Sequence, residues 1–184
     1  MISFKKFLYE NWFDVNDNSH LKRRVSIREL LGKPSFTPEE RKSVNEYIKD
    51  SKPIHEKIKS GKLNDTHIKN LDSYIDKNRI PAFLHTYSSL GFNPQDHIND
   101  KNELHIPGYL STTPHKDVAK DYSKNSSGIH HIAHITLNKG DPASPLHTHE
   151  DEVLIGRGQK FKYHGHKDIE EGDKKFRIHR LSII

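Results

Sequence analysis

The chain has 184 residues, enough for one ordinary domain or a domain with a small appendage. Hydrophobic residues make up 32% and charged residues 30%, but eight Phe, seven Tyr and one Trp supply core material, so a folded domain with a large solvated surface is expected. The absence of cysteine excludes disulfide and thiolate chemistry, while a formal charge of +5 and a pI of about 9.2 favour acidic or phosphate-bearing partners.

Residues 1–13, MISFKKFLYENWF, lack the long apolar core and small-residue cleavage site of a secretory leader. No stretch approaches the roughly 18 apolar residues of a membrane span. A cytoplasmic protein with no membrane partner is therefore expected. Phe4, Phe7, Leu8 and Trp12 recur at helical intervals and predict a short amphipathic helix. Thr37-Pro38-Glu39-Glu40 reads as a helix start, with a Thr cap, Pro at the first position and Glu at the third; Val44, Tyr47 and Ile48 continue its buried face. Asn64 or Asp65 begins another helix, carrying Ile68, Leu71 and Ile75. Residues 1–78 thus form a helical segment in which no chemistry is visible.

Residues 79–184 change character. Residues 80–87 read as a strand, and 105–111 as a second that ends in Ser111-Thr112-Thr113. Thr113-Pro114 caps a helix running to Tyr122. Residues 130–137 alternate Ile132, His134 and Thr136 against His131, Ala133 and Ile135, which suits a strand. Residues 153–155, 160–163 and 176–184 supply three more. Helices followed by a mostly β half with one internal helix predict an α+β fold rather than alternating βαβ units. The fifteen histidines read mostly as surface residues.

Two motifs carry chemistry. Glu150, Asp151 and Glu152 precede the apolar run Val153-Leu154-Ile155. On an extended strand, side chains two apart share a face about 7 Å from each other, so Glu150 and Glu152 would pair while Asp151 points away. Ser111-Thr112-Thr113 places hydroxyls at a strand end, Thr113 serving as the helix cap.

Together, GYLSTT, a following helix and strand, and EDEVLIGRGQKFK resemble the ADP-ribosyltransferase family, in its toxin-related, arginine-modifying branch. The family pattern is an apolar or aromatic residue plus Ser-Thr-Ser/Thr, then Glu-x-Glu-Val-Leu-Leu/Ile-x-x-Gly-x-x-Phe. Residues 150–161 fit every defined position, and the resemblance spans residues 80–184.

The resemblance implies a split β-sandwich at 79–184 behind the helical segment at 1–78. It implies NAD+ as cosubstrate with no metal, and products that are nicotinamide and an ADP-ribosylated protein, with arginine as acceptor. In such an enzyme Glu152 stabilises the oxocarbenium-like transition state and accepts a hydrogen bond from a ribose hydroxyl. Glu150 orients and helps deprotonate the incoming guanidinium, which is too basic to attack unaided. Ser111 holds the glutamate or the nicotinamide ribose, Thr112 and Thr113 support the strand end, and His147, Thr148 and His149 occupy the loop that contacts the acceptor.

The sequence departs from the family at the strand arginine that contacts the NAD phosphates. Aligning Tyr87 with the family's Tyr puts Ser88 at that position. An alternative register puts His85 there, and Arg79 is a third candidate. Ser88 and His85 lie three apart and would face opposite sides of a strand. If none of them serves, the chain is a catalytically weak NAD-binding relative.

The N-terminus, Met-Ile-Ser-Phe-Lys-Lys-Phe-Leu, is similar to the starts of head-associated proteins of large tailed phages. That likeness implies host transcription machinery as an acceptor. A competing class is a cupin-like metal barrel, since His147, His149 and Glu152 form a His-x-His followed by Glu that suits Fe, Mn or Zn, with His164 or His166 as a further ligand. Direct nucleic-acid binding is not favoured, because Lys22-Arg23-Arg24 is the only tight basic cluster and no aromatic platform accompanies it.

Overall fold

The computed structural model describes residues 32–123, 128–146, 148 and 151–184. The expected helix around Phe4–Trp12, the similarity at residues 1–8, and His147, His149 and Glu150 lie outside the described residues.

Helix α1 (Pro38–Lys49) starts as its sequence requires. The Thr37 hydroxyl accepts the Glu40 N–H at 3.2 Å, and the Glu40 carboxylate accepts the Thr37 N–H at 2.8 Å, a complete capping box. Val44 and Tyr47 are buried as expected, whereas Ile48 is 43% exposed and does not belong to the buried face. A helix not foreseen follows, α2 (Lys52–Lys59), which buries Ile54 and Ile58. It has only eight residues and is separated from α1 by Asp50 and Ser51, too short for a strong periodic signal. Helix α3 (Thr66–Lys77) is capped by Asp65, whose side chain accepts the His67 N–H at 3.0 Å, and it buries Ile68, Leu71, Tyr74 and Ile75. No helix among the described residues is long and apolar enough to cross a membrane.

Two sheets follow. The larger contains β1 (Leu84–Leu90), β4 (Ile129–Leu137), β8 (Lys174–Ile183), β7 (Gln159–Glu171) and β2 (Glu103–Ile106) in that spatial order, and only the β4–β8 pair is parallel. The smaller contains β3 (Leu110–Thr112), β6 (Val153–Ile155) and β5 (Ala143–Pro145), all antiparallel. Helix α4 (Lys116–Ser123) follows β3. The Thr113 hydroxyl accepts the His115 N–H at 3.2 Å in a turn just ahead of it, and the His115 carbonyl accepts the Ala119 N–H at 3.3 Å.

Several boundaries differ from the sequence expectation for physical reasons. The strand expected at 80–87 begins at Leu84, because Ile80 instead exchanges backbone hydrogen bonds with the turn at Gly140 and Asp141 ahead of Pro81. The single strand expected at 105–111 is two strands in different sheets, broken at Pro107-Gly108. Strand β7 runs for 13 residues, past a register shift between Tyr163 and His166, where polar residues hide the alternation. Most described histidines are buried or half-buried rather than on the surface.

The layers explain the uninterrupted Val153-Leu154-Ile155 run. Val153 and Ile155 pack into the core between the two sheets with Leu90, Ile135, Phe161 and Leu181. Leu154 faces the other way, into a second core with Tyr47, Ile68, Leu71 and Tyr109. A strand buried on both faces reads as a continuous apolar run. Helix α4 covers the far face of the larger sheet, where Ala119 packs with Tyr87, Ile132 and Phe176. Helices, small sheet, large sheet and a single outer helix make four layers, with open sheets rather than a closed metal-binding barrel.

Candidate active site

The end of β3 and the start of β6 lie side by side, with Ser111 opposite Leu154 and Thr112 opposite Val153. The Thr112 hydroxyl donates to the Val153 carbonyl at 2.8 Å and the residue is buried, so it fixes the pairing of the two motifs. Immediately before β6, Glu152 is held through its backbone. Its carbonyl accepts the Leu146 N–H at 2.8 Å, and its N–H donates to the Thr148 hydroxyl at 3.2 Å.

The strand alternation expected for the three acids does not extend to Asp151. That residue has a φ of 51°, in the left-handed region, and the regular strand starts only at Val153. The Asp151 carboxylate lies 2.9 Å from His115 Nε2, at the foot of α4. Its role is to tie the acidic loop to the helix behind β3, a partnership between residues 36 apart that the sequence did not reveal. Downstream, Gly158 has a φ of 73°, which explains the glycine in the motif, and Phe161 is buried in the core.

Glu152 and Ser111 line one cleft of about 680 Å³, within the range of roughly 300–1,000 Å³ usual for small-molecule sites. Tyr87, Ser88 and Thr112 border it too. The opposing wall comes from the helical segment, through Tyr47, Lys49, Lys52 and His55. Tyr47 is 3% exposed, and its hydroxyl lies 3.1 Å from Ser111 Oγ and 3.4 Å from His55 Nε2. Burial raises the Tyr47 phenol to about 12; the Ser111 hydrogen bond opposes this and the Glu152 charge adds to it. Burial, with Lys59 nearby, lowers His55.

Tyr109, of the GYLSTT segment, is buried, and its hydroxyl donates to Asp72 at 2.6 Å while its oxygen lies 3.0 Å from the Ile68 carbonyl, a second acceptor for the same proton. Asp72 also receives a two-pronged contact from Arg157, with Nε at 3.0 Å and Nη2 at 2.8 Å from Oδ2. Both motif segments are therefore anchored on α3.

The family model for ADP-ribosyltransferase exoenzymes matches residues 10–183. The chain belongs to that family. Solved ADP-ribosylating proteins share the exoenzyme fold. C3stau2 from S. aureus, solved with NAD, superposes with a TM-score of 0.66 at 19% identity, over 85% of this chain and 92% of that one. Plx2a, an ADP-ribosyltransferase toxin from Paenibacillus larvae, gives 0.67 at 15% identity over the whole of both chains. The enzymatic component C2-I of the C2-toxin from Clostridium botulinum gives 0.70 at 15% identity, over 88% of this chain and 48% of that one. No curated protein matches the chain in sequence.

Against the exoenzyme fold, the three candidates for the absent strand arginine fare differently. Ser88 borders the cleft, but its hydroxyl donates to the Ser111 carbonyl at 2.8 Å, holding β1 to β3. Tyr87 is joined to Thr113 by two backbone hydrogen bonds, and its ring stacks on His134 at 4.7 Å. His85 is not among the cleft residues: its Nδ1 lies 3.2 Å from His134 Nε2, and burial lowers its pKa. Arg79 is elsewhere again. It pairs with Asp76 at 2.6 Å and donates to the Gly140 carbonyl at 3.1 Å, in a separate polar hollow beside Arg157.

Among the described residues, the lysines bordering the cleft are instead Lys49 and Lys52. Sequence reading missed them because the helices carrying them held no motif. Among the described residues no group of three His, Asp or Glu is placed to hold a metal. His164 and His166, the further ligands of the metal reading, contact Ser182 and Tyr163 on the larger sheet.

Proposed function

We propose that the chain cleaves NAD+ and transfers its ADP-ribose to an arginine on a protein. The observation that carries this reading is the meeting of Glu152 and Ser111 in one cleft of dinucleotide size, in a chain of the exoenzyme family. The bond between nicotinamide and C1′ of its ribose breaks heterolytically, and neutral nicotinamide leaves with the electron pair. Positive charge grows on the ribose, where the Glu152 carboxylate stabilises it. The acceptor guanidinium nitrogen forms the new bond at C1′, and its proton passes to Glu150.

Lys49 and Lys52 supply positive charge for the pyrophosphate in place of the family's strand arginine. Lysine acts there as a point charge rather than a two-pronged fork. The Glu-x-Glu spacing favours arginine as the acceptor, because a guanidinium needs a second carboxylate to become nucleophilic.

The test is incubation with labelled NAD+ and a cell lysate, followed by mass spectrometry of the labelled residue. Glu152→Gln should abolish both labelling and nicotinamide release while the circular dichroism spectrum is unchanged. Turnover that persists in that variant sinks the role given to Glu152, and label on a residue other than arginine corrects the acceptor.

A further inference from the structure

Resting on the reading above, we propose that Tyr47 and His55 are positioning residues that aim the Ser111 hydroxyl at the reacting site. Ser111 is the middle residue of a three-residue strand and is exposed to the cleft. A serine hydroxyl there can rotate among three wells unless a second contact holds it. The contact available is the Tyr47 hydroxyl at 3.1 Å.

Tyr47 itself has little freedom. Its ring is buried and meets Tyr109 edge-on at 5.9 Å, and its oxygen is reached from the far side by His55 Nε2 at 3.4 Å. His55 is wedged in turn against the GYLSTT segment: a Cβ added to Gly108 would lie 2.8 Å from His55 Nδ1. This accounts for the glycine three residues before Ser111. A side chain there would push the imidazole away from Tyr47.

A phenol has a single proton, so with two partners it donates to one and accepts from the other. If Ser111 is to donate to an acceptor in the cleft, whether the Glu152 carboxylate or a ribose oxygen, its Oγ must accept from Tyr47. Tyr47 must then accept from His55 Nε2–H. The relay runs from His55 through Tyr47 to Ser111, and it requires the neutral imidazole to carry its proton on Nε2.

Two measurements test this. Long-range ¹H–¹⁵N NMR of the full chain at pH 7.5 should show His55 as the Nε2–H tautomer; a bare Nε2 overturns the relay whether or not the protein turns over NAD+. In NAD+ hydrolysis, Tyr47→Phe keeps the ring but loses the bond, and should lower kcat about tenfold with KM for NAD+ within about twofold. The double variant Tyr47→Phe/Ser111→Ala should be no slower than Ser111→Ala alone. His55→Gln, which can present an N–H near the Nε2 position, should retain most of the activity, whereas His55→Leu and Gly108→Ala should fall as far as Tyr47→Phe. Wild-type kcat in Tyr47→Phe, or losses that multiply in the double variant, refute the proposal. A wild-type chain without any NAD+ turnover refutes the transferase reading instead and leaves the tautomer to decide the relay.

Discussion

Acidification from pH 7.5 to 5 should weaken this fold before its carboxylates titrate, through two buried histidines. His134 is 6% exposed and His179 is 0% exposed. Burial is the main cause that pushes each from 6.5 down to about 3. Neighbouring positive groups add to it: His85, Lys116 and Arg180 around His134, and His131, His166 and Arg177 around His179, with Asp168 opposing at the latter. Above pH 6.5 both imidazoles are neutral in the folded and the unfolded chain, and neither makes stability depend on pH. Below 6.5 the unfolded chain takes up protons that the folded chain refuses, so stability falls with pH and keeps falling until about pH 3. At pH 5 the linkage amounts to about 2 kcal/mol per histidine and about 4 kcal/mol for the two. That is a large share of the roughly 5–15 kcal/mol by which a domain is stable. Glu40, Asp65 and Asp168 also have lowered values, but they titrate from ordinary values of 4.5 and 3.8, so their loss belongs to a lower pH window. Urea unfolding followed by circular dichroism at pH 7.5, 6 and 5 measures the effect. His134→Gln and His179→Gln should each remove about 2 kcal/mol of the pH dependence in that interval, whatever they do to stability at pH 7.5; His55, His85, His131 and His164, which burial also lowers, supply a remainder of the same sign. An unfolding midpoint that is the same at pH 7.5 and 5, or a double variant with the wild-type slope, would refute the reasoning.

Four further outcomes are expected. Glu150→Gln should lose transfer to a guanidino acceptor while keeping part of the NAD+ hydrolysis; equal loss of both, measured as nicotinamide release with and without acceptor, would remove its separate role. Lys49→Ser/Lys52→Ser should raise KM for NAD+ about tenfold at low salt, as two exposed charges contribute up to about 1 kcal/mol each, and leave kcat nearly unchanged. Arg157→Met removes the two-pronged partner of Asp72 and should cost about 1–3 kcal/mol in urea unfolding. Treatment with a strong chelator should leave transfer unchanged; a lost activity restored by added metal would favour a metal-dependent reaction.

The legible parts of this molecule were those with local causes. The Thr37–Glu40 capping box, the Asp65 cap and the apolar spacing of α3 were all readable, because each involves residues within about one helical turn. The Glu-x-Glu and Ser-Thr-Thr motifs were readable as motifs, but their contact was not, since the pairing of Ser111 with Leu154 spans 43 positions. Asp151 defeated the alternation argument because a single left-handed residue delays the start of the strand, and although aspartate visits that conformation more readily than most residues, its presence in the sequence does not require it. The histidines read as surface residues from composition, whereas β4 and β8 bring His131 and His179 within 2.9 Å of each other. The register of a parallel pair separated by 35 residues or more is set by the whole sheet rather than by either strand.

The helical segment, in which the sequence shows no chemistry, also lines the cleft. The catalytic candidates of the cleft come from β3 and the start of β6, yet an opposing wall is made by α1 and α2. The apolar core under Leu154 explains why those parts stay together, since Tyr47, Ile54, Ile58 and Leu71 share it with Tyr109 of the GYLSTT segment. The same packing that stabilises the helices brings Lys49, Lys52 and the Tyr47 hydroxyl to the cleft. A charge lost from a strand position can therefore be replaced from a helix without rebuilding the sheet, because helix and strand face the same hollow. On this argument the serine at the strand-arginine position does not by itself mark a retired enzyme. Ser88 is committed to holding β1 against Ser111, and the positive charge that Lys49 and Lys52 bring to the same cleft comes from some forty residues away in the sequence.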